Sequence, residues 1–242
     1  MSTTKNWFKT WFNTSYYHIL YQNRNDEEAQ FFIKNITSFL KIKQGDTLLD
    51  LGCGKGRHAV FLNSLGFKVT GADLSSNSIA HAKQFENEHL RFLEHDMRDP
   101  FTSKFDVIFN LFTSFGFFED DKEDILVLTN IKNGLKQQGT AVIDFMNAHK
   151  VIANIVPKET VTRGNITFHI KRRFENGFII KDISFRADNQ DHHYTERVKC
   201  LNYEKIEKFL KQAGLHIVNA FGDYDLSDFN PDKSNRLILV VA

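Results

Sequence analysis

Cysteine is scarce: the 242-residue chain has two, Cys53 and Cys200. A single pair cannot build the disulfide framework of a small secreted domain. An excess of one charge is also missing. Lys and Arg number 31 against 30 Asp and Glu, a formal net charge of +1, so no whole-molecule field favours nucleic acid or an anionic membrane. No apolar run approaches the roughly 20 residues of a spanning helix, and the opening Met-Ser-Thr-Thr-Lys-Asn-Trp-Phe lacks an apolar signal core. Internal repeats and low-complexity segments are absent as well. These absences make a cytoplasmic enzyme, without nucleic-acid or membrane partners, the expectation. A hydrophobic content of 41% and a charged content of 25% suit one large α/β domain, or one domain carrying an insertion.

Hydrophobic spacing orders the elements. Residues 1–24 are aromatic and read as irregular. A helix is expected over 26–40, with Asp26, Glu27 and Glu28 suiting its first turn. Strands at 48–51, 67–72, 90–94, 105–111 and 139–145 alternate with helices at 57–65, 76–86 and 121–135, the rhythm of a parallel sheet covered on both faces. After residue 150 the rhythm changes. Runs at 166–174, 178–185 and 192–201 read as three antiparallel strands, with Asn176-Gly177 as a turn between the first two. A helix at 203–212 and strands at 215–220 and 236–241 follow, the last two expected as an antiparallel pair. The expected plan is an aromatic arm or lid over 1–25, an α/β core over 26–150, an antiparallel insertion over 158–201 covering the active site, and a completion of the core sheet over 202–242.

Three glycines, at 52, 54 and 56, occur where the first strand gives way to its helix. In open α/β sheets ligands bind at this end of the strands, and glycine lets them approach the backbone. The dinucleotide fingerprint G-x-G-x-x-G fails, because position 57 is Arg57. Asp50, just before the bend, suits a cationic ligand rather than a pyrophosphate. Asp73 ends the next strand about 20 residues on, where a carboxylate can take both ribose hydroxyls. Asp96 follows strand three, placed to accept a bond from an adenine amino group. Ribose, adenine and a positive charge together describe S-adenosylmethionine, with S-adenosylhomocysteine as its product.

The segments Leu48-Leu-Asp-Leu-Gly-Cys-Gly-Lys-Gly56, Val69-Thr-Gly-Ala-Asp-Leu-Ser75, His95-Asp-Met97, Phe105-Asp-Val-Ile108 and Leu135-Lys-Gln-Gln-Gly-Thr140 resemble, in order, the motifs of the class I (Rossmann-like) S-adenosylmethionine-dependent methyltransferases. The resemblance implies a Rossmann-like seven-stranded α/β sheet with its seventh strand antiparallel. It also implies site roles. Asp50 and the Gly52–Gly54 backbone, with Cys53 between, lie by the methionine moiety, and Asp73 holds the ribose. Leu74 packs on adenine, Asp96 with the Met97 amide reads its edge, and Asn110 ends strand four beside the donor. Tyr17–Arg24, His95-Asp-Met-Arg-Asp99 and Phe112-Thr-Ser-Phe-Gly116 are similar to amino-sugar N-methyltransferases. Those enzymes tend to carry histidine after that glycine, where this chain has Phe117.

The expected reaction is direct in-line methyl transfer to N or O of a small polar metabolite. The enzyme need only hold the nucleophile in line and exclude water. Arg24, Phe112, Phe115 and Phe117 are candidates for the acceptor pocket, and Tyr17, Tyr21 and Tyr224 for orienting the acceptor. His192-His193 lacks further ligands at zinc spacing, so no metal is expected. Cys53 has no neighbouring base pattern that would make it a nucleophile. A methyltransferase for nucleic acid or protein, and a non-catalytic S-adenosylmethionine-binding module, remain the alternatives.

Overall fold

The computed structural model describes residues 6–22 and 26–242. A seven-stranded sheet has the order β10-β11-β5-β4-β1-β2-β3. Its members are β1 (Thr47–Leu51), β2 (Lys68–Asp73), β3 (Leu90–Glu94), β4 (Phe105–Asn110), β5 (Leu135–Met146), β10 (Ile217–Phe221) and β11 (Arg236–Val241). β1 to β5 run parallel, while β11 is antiparallel to both β5 and β10. Central β1 is buried on both faces from Leu48 to Leu51, which is why it reads as a continuous apolar run broken only by Asp50.

Helices cover both faces. On one side α3 (Asp26–Phe39), α4 (Arg57–Ser64) and α5 (Ser76–Ala82) pack Phe32, Ile33, Leu62 and Ile79 against Leu48, Val69 and Phe109. On the other, α6 (Asp121–Gly134) and α8 (Tyr203–Gln212) pack Val127, Ile131, Ile206 and Phe209 against Leu49, Ile108 and Ile143. Local chemistry starts these helices: the side chains of Ser75, Asp120 and Asn202 accept bonds from the first-turn amides of Ser78, Lys122 and Lys205. A short helix, α7 (Ala148–Ala153), follows β5.

Between the core strands β5 and β10 stands a separate four-stranded antiparallel sheet, β6-β7-β8-β9. It comprises β6 (Lys158–Arg163), β7 (Ile166–Glu175), β8 (Phe178–Ala187) and β9 (Gln190–Lys199). Asn176 and Gly177 both take positive φ, 51° and 80°, in the turn between β7 and β8. One face of this sheet is buried and the other faces water, as Ile166, Phe168 and Ile170 alternate with exposed Thr167, His169 and Lys171. The Lys199 ammonium fastens the sheet to α6, 2.5 Å from fully buried Asp124 and 2.7 Å from Asp121.

Three local expectations are corrected. The insertion has a fourth strand, β6, whose polar Lys-Glu-Thr-Val-Thr-Arg sequence carries no clear alternation. α7 also escapes pattern reading because it is only six residues long. The aromatic N-terminal segment is not irregular. It forms α1 (Trp7–Trp11) and α2 (Ser15–Leu20), the second capped by the Thr14 hydroxyl at the Tyr17 amide, 3.1 Å. Helices of 5 and 6 residues are too short to stand alone and depend on the surface they pack against.

Candidate active site

A cavity of about 540 Å³ opens above the carboxyl ends of β1, β2 and β4. Its floor is the turn after β1. The Gly52 and Cys53 amides both donate to the Ala72 carbonyl of β2, at 2.7 and 3.1 Å. Gly54 donates to Asp73 Oδ2 at 2.8 Å, and Ser75 N donates to Asp73 Oδ1 at 2.8 Å. Thus Asp73 ties the glycine turn to the start of α5 while still bordering the cavity. Burial pushes its carboxyl upward, partly offset by those backbone N–H bonds.

The glycines serve different needs. A Cβ on Gly52 or Gly56 would lie 2.7 Å from Ser114 or Phe92, so close packing excludes side chains there. A Cβ on Gly54 would meet nothing within 4 Å, so bare backbone at that point leaves the cavity wall open. The Asn110 amide sits beneath the turn. Its Nδ2 donates to the Leu51 carbonyl at 2.9 Å, whereas its Oδ1 is buried without a partner among the described residues.

Beyond β3, His95, Asp96 and Met97 form the next wall, with Leu74 beside them. Asp96 receives Arg98 Nε at 2.9 Å and Nη2 at 2.6 Å, and Lys9 lies 3.7 Å away. The Arg98 guanidinium holds the Asp96 carboxyl below its ordinary range.

The opposite wall comes from α1, α2, the loop after β4, and β9. Trp7, Phe12, Tyr17, Tyr21, Phe112, Phe117, Glu196 and Val198 all border the cavity. Phe117 packs against Trp7 at 5.5 Å and Phe12 at 5.3 Å. The arm is pinned to α5 by Asn13, whose Oδ1 accepts from Ser75 Oγ at 2.9 Å and Asn77 N at 3.0 Å. Phe112 and Thr113 take left-handed φ values of 55° and 62°. Asp144 holds them there: its Oδ2 accepts the Phe112 amide at 2.8 Å, and its carbonyl accepts Thr113 N at 3.0 Å. Arg236 completes the brace, with Nε 2.7 Å from Asp144 Oδ1 and Nη2 3.0 Å from the Thr113 hydroxyl.

Several expected site residues stand elsewhere. Asp50 does not border the cavity: it is buried under the turn, accepting the Ala59 amide of α4 at 3.1 Å, and desolvation raises its pKa to about 7. Asn110 likewise lies behind the wall. Phe115 is fully buried against Phe145 at 6.4 Å and belongs to the core. Tyr224 packs between Phe32 and Phe112, at 4.7 and 5.3 Å, and turns its hydroxyl toward Asp144 rather than the cavity. Burial raises its phenol far above the usual range. Cys53 does border the cavity, but burial and the nearby Asp50 and Asp73 raise its thiol's pKa, which disfavours the nucleophilic thiolate. The Phe112 ring carries His58 stacked at 4.8 Å and the Arg57 guanidinium at 5.0 Å, so its faces are already crowded. Arg24 lies outside the described residues. His192 stacks on Phe185 at 5.0 Å, and no metal-ligand cluster occurs among the described residues.

Pattern reading missed Asn13, Glu196, Val198 and Arg236. The only available signal for Glu196 was the period of two along β9, which places it on the face of Tyr194 and Val198.

A glycine turn at the carboxyl end of a parallel strand, with acids after the next two strands, defines a Rossmann-like nucleotide-cofactor site. Residues 48–139 match the family model of a methyltransferase domain. YqeM of Bacillus subtilis (strain 168), whose own assignment as a methyltransferase is provisional, is 29% identical over 205 residues, covering 78% of this chain and 81% of that protein. A glycine/sarcosine N-methyltransferase of Parasynechococcus marenigrum (strain WH8102) is 26% identical over 225 residues, covering 86% and 75%. Among solved structures, an S-adenosylmethionine-dependent methyltransferase from Clostridium acetobutylicum superposes with a TM-score of 0.79 at 20% identity, over 93% of this chain and 95% of that one. The sugar N-methyltransferase KedS8 from Streptoalloteichus shares the fold with a TM-score of 0.72 at 17% identity, over 93% and 92%. The methyltransferase-domain match over residues 48–139, with these relatives and the shared fold, supports a class I, Rossmann-like S-adenosylmethionine-dependent methyltransferase.

Proposed function

We propose that this enzyme methylates nitrogen or oxygen of a small polar metabolite, with nitrogen favoured. The observation that carries this reading is the two-sided cavity. Its floor is the glycine turn with Asp73 and Asp96 at its border, and its opposite wall is built from the arm and β9. A cavity of about 540 Å³ falls in the range of small-ligand sites. The similarity to a glycine/sarcosine N-methyltransferase over most of both chains supports an amine.

The residues fit the donor. Open space at Gly54 lies at the turn. Gly52, Cys53 and Gly54 would hold the methionine end, Asp73 the ribose, and Leu74, Asp96 and Met97 the adenine. Asp50 acts from below by fixing the turn against α4. Bound S-adenosylmethionine supplies a methyl group already activated on a sulfonium. The chain supplies position and dryness: Trp7, Phe12, Phe112 and Phe117 exclude water, and the Asp144–Arg236 brace sets the Phe112–Thr113 backbone. No metal is needed for this chemistry.

Production of S-adenosylhomocysteine is to be measured across small amines, hydroxylated metabolites, tRNA and a protein lysate. Turnover among the small molecules is expected. Turnover with tRNA or protein alone would overturn the small-acceptor reading, and none with any acceptor would favour a binding module.

A further inference from the structure

Four carboxylates among the described residues border the cavity: Asp26, Asp73, Asp96 and Glu196. The first three have evident occupations. Asp26 faces Arg57 at 3.4 Å, Asp73 takes the backbone amides of Gly54 and Ser75, and Asp96 is held by Arg98. Glu196 is different. Its hydrogen-bond donors are neutral: Trp11 Nε1 at 2.7 Å and the Tyr21 hydroxyl at 2.8 Å, both from the arm.

The setting of Glu196 is also costly. It lies directly across from Lys181 of β8 on the inner face of the insertion sheet. That face carries Ile183, Phe185, Tyr194 and Val198, and also Arg172, which lies across from Lys181 on β7 and pairs with Glu159 of β6. The Lys181 ammonium is 3.6 Å from Glu196 and donates instead to the Tyr21 oxygen in a short bond. Both side chains are only 12% exposed. Taking two charges out of water at that separation is poorly compensated by their attraction. Fastening the arm would need only a neutral acceptor for Trp11 and Tyr21, and a glutamine oxygen would serve. A carboxylate also offers about four lone-pair positions; Trp11 takes one on Oε1, and the Tyr21 hydroxyl is shared between Oε1 and Oε2 at 2.8 and 2.9 Å. Glu196 itself borders the cavity.

We infer that Glu196 is the acceptor-binding residue of this methyltransferase, and that it selects an amine by accepting hydrogen bonds from its N–H groups; the neutral amine forms the new N–CH3 bond as the S–CH3 bond breaks, and the surplus N–H proton leaves to solvent. This rests on the small-acceptor reading and narrows it to primary and secondary amines. Tyr21 is then a positioning residue that orients the Glu196 carboxylate, with Lys181 behind it.

The experiment uses matched amine and hydroxyl probes: glycine and sarcosine against glycolate, ethanolamine against ethylene glycol, and glucosamine against glucose. With the wild type, turnover of amines above their hydroxyl partners is expected. In Glu196→Gln, which keeps the bonds to Trp11 and Tyr21, KM for the best amine should rise about 10-fold or more, the loss of one charge-assisted hydrogen bond. The Kd for S-adenosylhomocysteine, read by calorimetry, should stay within about twofold, which also reports folding. Glu196→Asp, which keeps the charge, should recover part of the loss. An unchanged KM in Glu196→Gln, or wild-type turnover of hydroxyl partners equal to that of amines, would overturn the Glu196 assignment and leave the small-acceptor reading standing. Methylation of tRNA or protein with no turnover of any small probe would overturn both.

Discussion

The two walls of the cavity are built on different principles. The floor is made of backbone. Gly52, Cys53 and Gly54 hang from the Ala72 carbonyl and the Asp73 carboxylate, and the positions concerned lie about 20 residues apart in neighbouring parallel strands, as the fold class demands. The opposite wall is made of side chains from distant segments. Trp11 meets Glu196 across 185 positions, and Tyr21 meets it across 175. A floor made of backbone, proposed above to hold the donor, draws on features that the fold class repeats. A wall made of side chains is free to vary with the acceptor. The contrast predicts that substitutions should separate cleanly, with donor affinity governed by the floor and arm closure and acceptor choice governed by the other wall.

The largest expected effect is on the floor. Asp73→Ala removes a carboxylate that would make two charge-assisted bonds to the ribose, each worth about 1.5–3 kcal/mol. Affinity for S-adenosylhomocysteine should fall roughly 100-fold or more. Calorimetry giving tight binding to Asp73→Ala would break the assignment of the floor to the donor.

A second effect lies beneath the floor and concerns pH. The Asp50 carboxyl is raised from 3.8 to about 7 by burial. The folded state therefore holds this proton more tightly than the unfolded chain. Asp50 contributes stability below pH ~4, and that contribution is lost as pH rises through about 7, a swing of up to about 4 kcal/mol. Asp50→Asn can still accept the Ala59 amide, so its stability relative to wild type should increase between pH 4 and 7. Denaturant unfolding across that range tests this, and parallel pH profiles for the two proteins would contradict it.

The smallest effect belongs to the other wall. Trp11→Phe keeps the ring that packs 4.5 Å from Tyr194 but loses the bond to Glu196. A loss of about 1.5–3 kcal/mol in arm docking follows, read as faster proteolysis within the arm. Affinity for S-adenosylhomocysteine should stay within about twofold. A larger fall in that affinity would show that the two walls are coupled rather than separable.

Legibility in the sequence follows the same division. The order of the core strands, the glycine turn, Asp73, Asp96 and the Asn176-Gly177 hairpin all rest on local pattern, and the structure carries each of them. The antiparallel pairing of β10 with β11 was legible from the missing helix between them. Side-chain direction was not legible. Asp50, Asn110, Phe115 and Tyr224 stand in or beside promising motifs, yet each turns toward a backbone amide or carbonyl, a buried acid or the core. Conversely, Glu196 sits in the polar run Asp191-His-His-Tyr-Thr-Glu-Arg197, which offers no motif.

By itself the sequence determined the α/β sheet and the glycine-and-acid floor of the cavity, because alternating apolar runs, glycines at positive φ and acids at strand ends act through neighbours in the chain. Only the tertiary structure decided that the aromatic N-terminal segment folds into two short helices, that β9 turns Glu196 toward the cavity, and that Arg236 and Asp144 brace the loop after β4. Those outcomes depend on packing and burial between segments more than 90 residues apart, and no periodicity along the chain encodes which side chains will meet.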